Sequence, residues 1–298
     1  MGLKSLRGIC WDFSLPDIAV QYISKSSLRR LDLGMNVDKF AQALGNPSAA
    51  AFLDLEDLEL KVSDLGRAVF NLLRVIPSSP LRNLSLHYHS QMIPEERDVC
   101  RFSQSLAISP WKHNLHTLSL QAPTDWSLSS DSTASIIRPL LMLSNIEAIY
   151  LDMTMVAGLD NTLLDDIAHA WPRLSKLQFR ASRGPAGHQW RATLDGLVPI
   201  VQYCPHLEQL DLCLHAVTNS LFLSQRLEQR PVNKSIEYLD WGHSTIKNPA
   251  EVASFLFDIF PNLISIIVWT DDRLVMARWD EVRRLIAKKR KESLDALV

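Results

Sequence analysis

Residues 203–212 read Tyr203-Cys204-Pro205-His206-Leu207-Glu208-Gln209-Leu210-Asp211-Leu212. A helix-like run ends at the proline, and two residues later a Leu-x-x-Leu-x-Leu strand begins. The same phrase stands at Trp171-Pro172-Arg173-Leu174, leading to Leu177 and Phe179, and at Phe260-Pro261-Asn262-Leu263, leading to Ile266 and Val268. Proline disfavours helix at the residue before it, so each copy releases the chain from a helix into a strand. This recurrence organises the chain, rather than a catalytic motif.

Working outward, Leu-x-x-Leu-x-Leu with other apolar residues allowed begins at Leu6, Leu28, Leu55, Leu81 and Leu115. It continues at Ile146, Leu174, Leu207, Ile236 and Leu263. The spacing from Leu28 onward averages about 29 residues, the long, strand-plus-helix end of the leucine-rich-repeat range. Between the strands, apolar residues at i, i+3, i+4 and i+7 predict helices. The predicted inner faces are Leu15, Ile18, Ala19, Tyr22; Val37, Phe40, Ala41, Leu44; and Leu65, Ala68, Val69, Leu72. Later ones are Leu164, Ile167, Ala168, Trp171; Leu194, Leu197, Val198, Val201; and Val252, Phe255, Leu256, Ile259. Asn248 reads as an N-cap, with Pro249 in the first turn and Glu251 as capping-box partner. Asp165 and Asp166 read as early-helix anions favoured by the helix dipole.

The expected fold is therefore α/β: a leucine-rich-repeat solenoid, or horseshoe, of about ten irregular repeats, with a parallel sheet on the concave side and helices on the convex side. The solenoid is expected over 1–274 and an amphipathic capping helix over 275–298, with Trp279, Val282, Leu285 and Ile286 inward. The other face of that helix carries Lys288-Lys289-Arg290-Lys291, read as a wet face in preference to a nuclear-import signal. Longer inserts surround Pro94–Arg97, Ala122–Thr133 and Ala181–Trp190, and inserts of this kind map to solenoid rims. The first repeat has no cap before it, which leads us to expect either a longer architecture upstream or a partner there.

The 298 residues carry 31 Lys and Arg against 33 Asp and Glu, a formal charge of −2. That balance argues against a nucleic-acid or anionic-membrane surface. No apolar run approaches the roughly 20 residues a membrane span needs. Cys10, Cys100, Cys204 and Cys213 are scattered, as expected of reduced thiols in an intracellular protein, cytoplasmic or nuclear.

Strand alternation places every second residue on the open face. The candidate partner-binding residues there are Asp32, Asp57, Glu59, His87, Tyr150, Asp152, Lys176, Arg180, Asp211, Tyr238, Asp240 and Trp269. The first half is acidic around Asp57 and Glu59, Lys176 and Arg180 add a basic strand, and the aromatics are of a kind enriched in binding hot spots. A mixed surface fits a protein ligand better than a phosphate backbone. His87-Tyr88-His89 would send two imidazoles to one face with no third ligand at diagnostic spacing, and His113 and His116 read as strand-end polar residues. No phosphate loop, nucleophile elbow or zinc-protease motif occurs. The sequence thus predicts no enzyme, cofactor or metal.

The stretches "AWPRLSKLQF", "YCPHLEQLDL" and "IFPNLISIIV", with helices such as "TLDGLVPIVQYCPH" before them, resemble the leucine-rich-repeat regions of F-box proteins, in the style of the divergent fungal set. The resemblance covers nearly the whole chain. It implies repeats that recruit a ubiquitination substrate, and an F-box that binds the adaptor of a cullin–RING ubiquitin ligase. No F-box helix triplet stands in this sequence, so adaptor binding is implied only with an F-box upstream. The second expectation is a leucine-rich-repeat regulator that binds and modulates an enzyme, of the nuclease-inhibitor or GTPase-activator type.

Overall fold

A computed structural model describes residues 7–11, 16–34, 37–44, 51–62, 69–70, 72–73, 76, 80–88, 95–121, 132–152, 158–180, 190–218 and 230–295. The chain divides into two compact units, residues 1–126 with 135–151 and residues 127–134 with 152–298. Each is built from parallel strands that pair in chain order, with helices between them.

The first unit holds β1 (Gly8–Trp11), α1 (Asp17–Ser24), β2 (Arg30–Leu33), α2 (Val37–Leu44), β3 (Asp57–Val62), β4 (Asn83–Tyr88), α3 (Glu96–Ala107) and β5 (Thr117–Gln121). It also holds most of α4 (Ser132–Leu140) and β6 (Ala148–Asp152). The register follows the leucine phrase: Leu31 pairs with Leu58, Leu58 with Leu84, and Leu84 with Leu118. One carbonyl per repeat fixes that register. Glu56 O accepts from Arg82 N and Asn83 N at 2.7 and 3.0 Å, and Arg82 O accepts from His116 N and Thr117 N at 2.8 and 3.0 Å. Along β3 and β4 every second residue is buried, as strand alternation demands.

The second unit holds α5 (Asn161–Ala170), β7 (Lys176–Arg180), a 3-10 turn (Leu194–Gly196) running into α6 (Leu197–Tyr203), and β8 (Gln209–Leu212). After these come β9 (His215–Ala216), β10 (Tyr238–Asp240), β11 (Thr245–Ile246), α7 (Pro249–Ile259), β12 (Ser265–Ile267) and α8 (Arg273–Asp295). Leu177, Leu210, Leu239 and Ile266 stand in one register column, and all are buried.

Here the proline phrase has a single geometry. The helices end at Ala170, Tyr203 and Ile259, and the caps Trp171, Cys204 and Phe260 share φ of −123, −113 and −128° with ψ of 63, 71 and 71°. Each cap N–H donates back to a helix carbonyl, and each cap carbonyl accepts from the first strand leucine: Leu174 N at 3.0 Å, Leu207 N at 3.1 Å and Leu263 N at 3.0 Å. All three cap side chains are fully buried. An apolar anchor before proline therefore plugs the core while the backbone turns.

Several expectations change. In α1 the buried residues are Val20, Ile23 and Ser24, whereas Ile18 is 84% and Tyr22 55% exposed. Both stripes of this short helix are apolar, so periodicity leaves its phase open. Phe52 N donating to Ser24 O at 2.8 Å holds the helix end in the observed phase. The cap of α5 is Asp160, whose carboxylate accepts from Leu163 N at 2.8 Å; Asp165 and Asp166 lie beyond the first turn. Helix α8 begins at Arg273, two residues ahead of the expected start at 275, and buries Trp279, Val282 and Ile286 but only half-buries Leu285. The short parallel pair β9–β11 was not expected. Asn248 caps α7 as read, accepting from Ala250 N and Glu251 N. The loop 181–189, the stretch 122–131, Pro94 and His89 lie outside the described residues.

Candidate functional site

The second unit gathers seven of the expected face residues: Asp152, Lys176, Arg180, Asp211, Tyr238, Asp240 and Trp269. Strand register does most of this, since Gln178 pairs with Asp211, and Asp211 with Asp240. Asp240 in turn pairs with Ile267. The turn after β10 does the rest. Gly242 has φ of +45°, the left-handed region that glycine enters at low cost, and a Cβ there would meet Cys213 Sγ at 2.7 Å. Its N–H donates to Asp240 Oδ1 at 3.1 Å and its carbonyl accepts from Trp269 N at 2.7 Å, so one turn joins β10 to the residues after β12. Trp190 Nε1 donates to His243 O and Trp279 Nε1 to Ser244 O, at 2.8 and 3.2 Å. Ser244 Oγ accepts from Leu214 N at 2.8 Å. The turn is thereby clamped from several sides.

On this frame Arg180 Nη2 lies 2.8 Å from Asp211 Oδ2 and 3.8 Å from Asp240 Oδ2. Gln178 Nε2 and Gln209 Nε2 also donate to Asp211 Oδ2, at 2.7 and 3.4 Å. Asp211 was expected on the open face, yet its side chain is only 4% exposed. It faces the expected way, but the longer side chains of Arg180, Gln178 and Gln209 close over it. Burial pushes its carboxyl above the usual carboxylate value, against the pull of the Arg180 guanidinium. Trp269 Nε1 donates to Asp240 Oδ1 at 3.1 Å, fixing the polar edge of the indole. Tyr238, Ile267 and Trp269 remain 56, 45 and 59% exposed. A cleft of about 1080 Å³ opens at the strand ends beside Trp269, and a smaller one of about 400 Å³ lies along Lys176, Glu208 and Tyr238.

The first unit brings together Asp57, Glu59 and His87, with Asp32 beside Glu59 in the register. Arg30 Nη2 reaches Glu59 Oε2 at 3.5 Å, and His87 bridges Glu59 Oε1 at 3.1 Å and Gln121 Oε1 at 3.0 Å. Asn83 Nδ2 donates to Asp57 Oδ1, and Cys10 Sγ lies 3.0 Å from Asp32 Oδ2. These charges answer one another along the strands. Tyr150 is half-buried at β6; Asp152, the last residue of that strand and part of the second unit, is half-buried too. His113 meets Ser144 and His116 meets the Asn114 carbonyl. Among the described residues no group of three or more His, Cys, Asp or Glu is gathered for a metal, and no helix is long and apolar enough to cross a membrane. Of the basic run on α8, Lys288 pairs with Glu292 at 3.7 Å, and Lys289 lies 5.8 Å over the Phe257 ring.

Sequence reasoning missed Gln178 and Ile267 as site residues. Both stood at open-face positions, but a glutamine and an isoleucine carry no chemical flag. Asp271 and Asp272 were also missed, because they follow the strand; Asp272 caps α8, accepting from Leu274 N at 2.8 Å.

No family model matches the chain, and no curated protein matches it in sequence. The solved structures with a distant likeness include these two. One is the Leiomodin-1 actin-binding site 2, 10% identical over 67% of this chain and 94% of that chain, with a TM-score of 0.27. The other is a chain in the structure of the Rad7 and Elc1 complex in yeast, 14% identical over 88% of this chain and 83% of that chain, with a TM-score of 0.28. Likeness at these values carries no argument, and the functional reading rests on the residues.

Proposed function

We propose that the chain is a non-catalytic protein-recognition module of the leucine-rich-repeat type, and that its open strand face recruits a protein ligand. One observation carries this reading. Tyr238, Ile267 and Trp269 stay accessible on β10, on β12 and just after β12, beside a fixed frame of Arg180, Asp211 and Asp240. Tryptophan, tyrosine and arginine are enriched in binding hot spots, which become packed and desolvated when the partner docks. The finer form of the proposal is a substrate receptor of the F-box type, in line with the proline-phrase repeats.

The test is affinity capture with the wild-type chain and with a Tyr238→Ser, Ile267→Ser, Trp269→Ser variant whose thermal midpoint has been checked. Partners lost from the folded variant support the reading; an unchanged partner set overturns it. Among partners that are lost, a ubiquitination substrate favours the receptor form. A nuclease or a GTPase favours an enzyme regulator.

A further inference from the structure

The larger cleft of the second unit has a charge and an aromatic wall that define a ligand. Among the described residues, its lining includes the carboxylates of Asp152, Asp240, Asp271 and Asp272 against the single guanidinium of Arg180. Arg180 is already engaged by Asp211 and Asp240. The rest of its wall is formed by His243 and by apolar and hydroxyl side chains, with Trp269 among them. Trp269 is held by its indole N–H on Asp240, which leaves the ring available rather than packed away. A fixed indole beside carboxylates attracts a cation by both charge and ring quadrupole. The volume of about 1080 Å³ reaches the top of the range of about 300–1000 Å³ for small-molecule pockets, so several side chains fit.

We propose that this cleft docks an extended basic segment of a partner protein, with a lysine or arginine on Trp269 and a neighbouring basic side chain toward the exposed Asp271. This inference rests on the protein-recognition reading and names the chemistry of its ligand. Charge complementarity selects the occupant: carboxylates outnumber the cation in this lining and repel an acidic segment, and a wholly apolar segment would desolvate them without compensation.

The experiment is fluorescence anisotropy with a labelled ten-residue Lys/Arg-rich peptide and an acidic peptide of equal length, on the full chain. The basic peptide binds and the acidic one does not. Trp269→Ala weakens binding by about ten- to thirtyfold. Asp271→Lys, at an exposed position, weakens it by about five- to tenfold at low salt, and added salt weakens wild-type binding. Circular dichroism of both variants checks that they remain folded. Equal binding of the two peptides, or unchanged binding by both variants, overturns the proposal. Full displacement by equimolar spermidine also overturns it, in favour of a small polyamine site. If the basic peptide fails while the triple variant still loses its captured partners, the cleft assignment falls and the recognition reading stands. If both fail, both fall.

Discussion

The Arg180 guanidinium meets the Asp211 carboxylate at 2.8 Å, with the carboxylate enclosed and the guanidinium half exposed. The pair is therefore asymmetric. Arg180 can lose its partner to water, but Asp211 cannot. Arg180→Ala leaves a buried charge supported only by the Gln178 and Gln209 amides. Breaking a fully buried pair costs about 3–5 kcal/mol, and the exposure of Arg180 reduces this to about 1–3 kcal/mol. Urea unfolding measures it. The double variant Arg180→Met, Asp211→Leu should be less destabilised than Arg180→Ala, because no charge is stranded.

Asp211 also sets a pH dependence. Its folded value is raised above the ordinary 3.8 by burial, with Arg180 opposing. The folded state therefore holds this proton more tightly than the unfolded chain does. Its stabilising contribution is complete below the unfolded value and is lost as pH rises through the folded one. Asp211→Asn removes the titration. The stability of wild type relative to Asp211→Asn should therefore be greatest below about pH 4 and fall as pH rises above it. A difference that grows with pH would show that the Arg180 ion pair outweighs burial.

Leu210 lies at the centre of the buried column with Leu177 and Leu239. Leu210→Ala should cost about 2–5 kcal/mol through lost contact and residual cavity. Thermal denaturation reads this directly, and an unchanged midpoint would contradict the register.

The thiols should react in order. Cys10 is exposed, while Cys204 is buried, its thiol pushed up to about 12 by burial. Cys213 is buried too, and Cys100 is half-buried with a raised value caused by burial and then by Glu96. A thiol reagent should modify Cys10 first and Cys204 and Cys213 only on unfolding. Cys10→Ser should remove the fast phase.

The strands were legible because the leucine phrase states position and side together: a residue two places from a buried leucine must also face inward. The proline turns were legible for a similar reason, since proline restricts the backbone whatever surrounds it. Depth was not legible. Alternation places Asp211 on the open face, but its enclosure depends on Gln178 and Arg180 one strand away. The phase of α1 was not legible either, since Ile18 and Tyr22 form as apolar a stripe as Val20 and Ile23. The β9–β11 pair rests on His215-Ala216 and Thr245-Ile246, too short for any period to register. The site was read as a row of residues, whereas the Gly242 turn makes it a frame with Trp269 fixed on Asp240.

The most direct test of the central claim is photo-crosslinking from position 267, on the exposed strand face, against position 108, an isoleucine after α3 that is more exposed still. A photoreactive residue at each site is irradiated in the presence of captured partners. The account predicts protein adducts from position 267 and none from position 108. Adducts from 108 alone, or equal adducts from both, would contradict it.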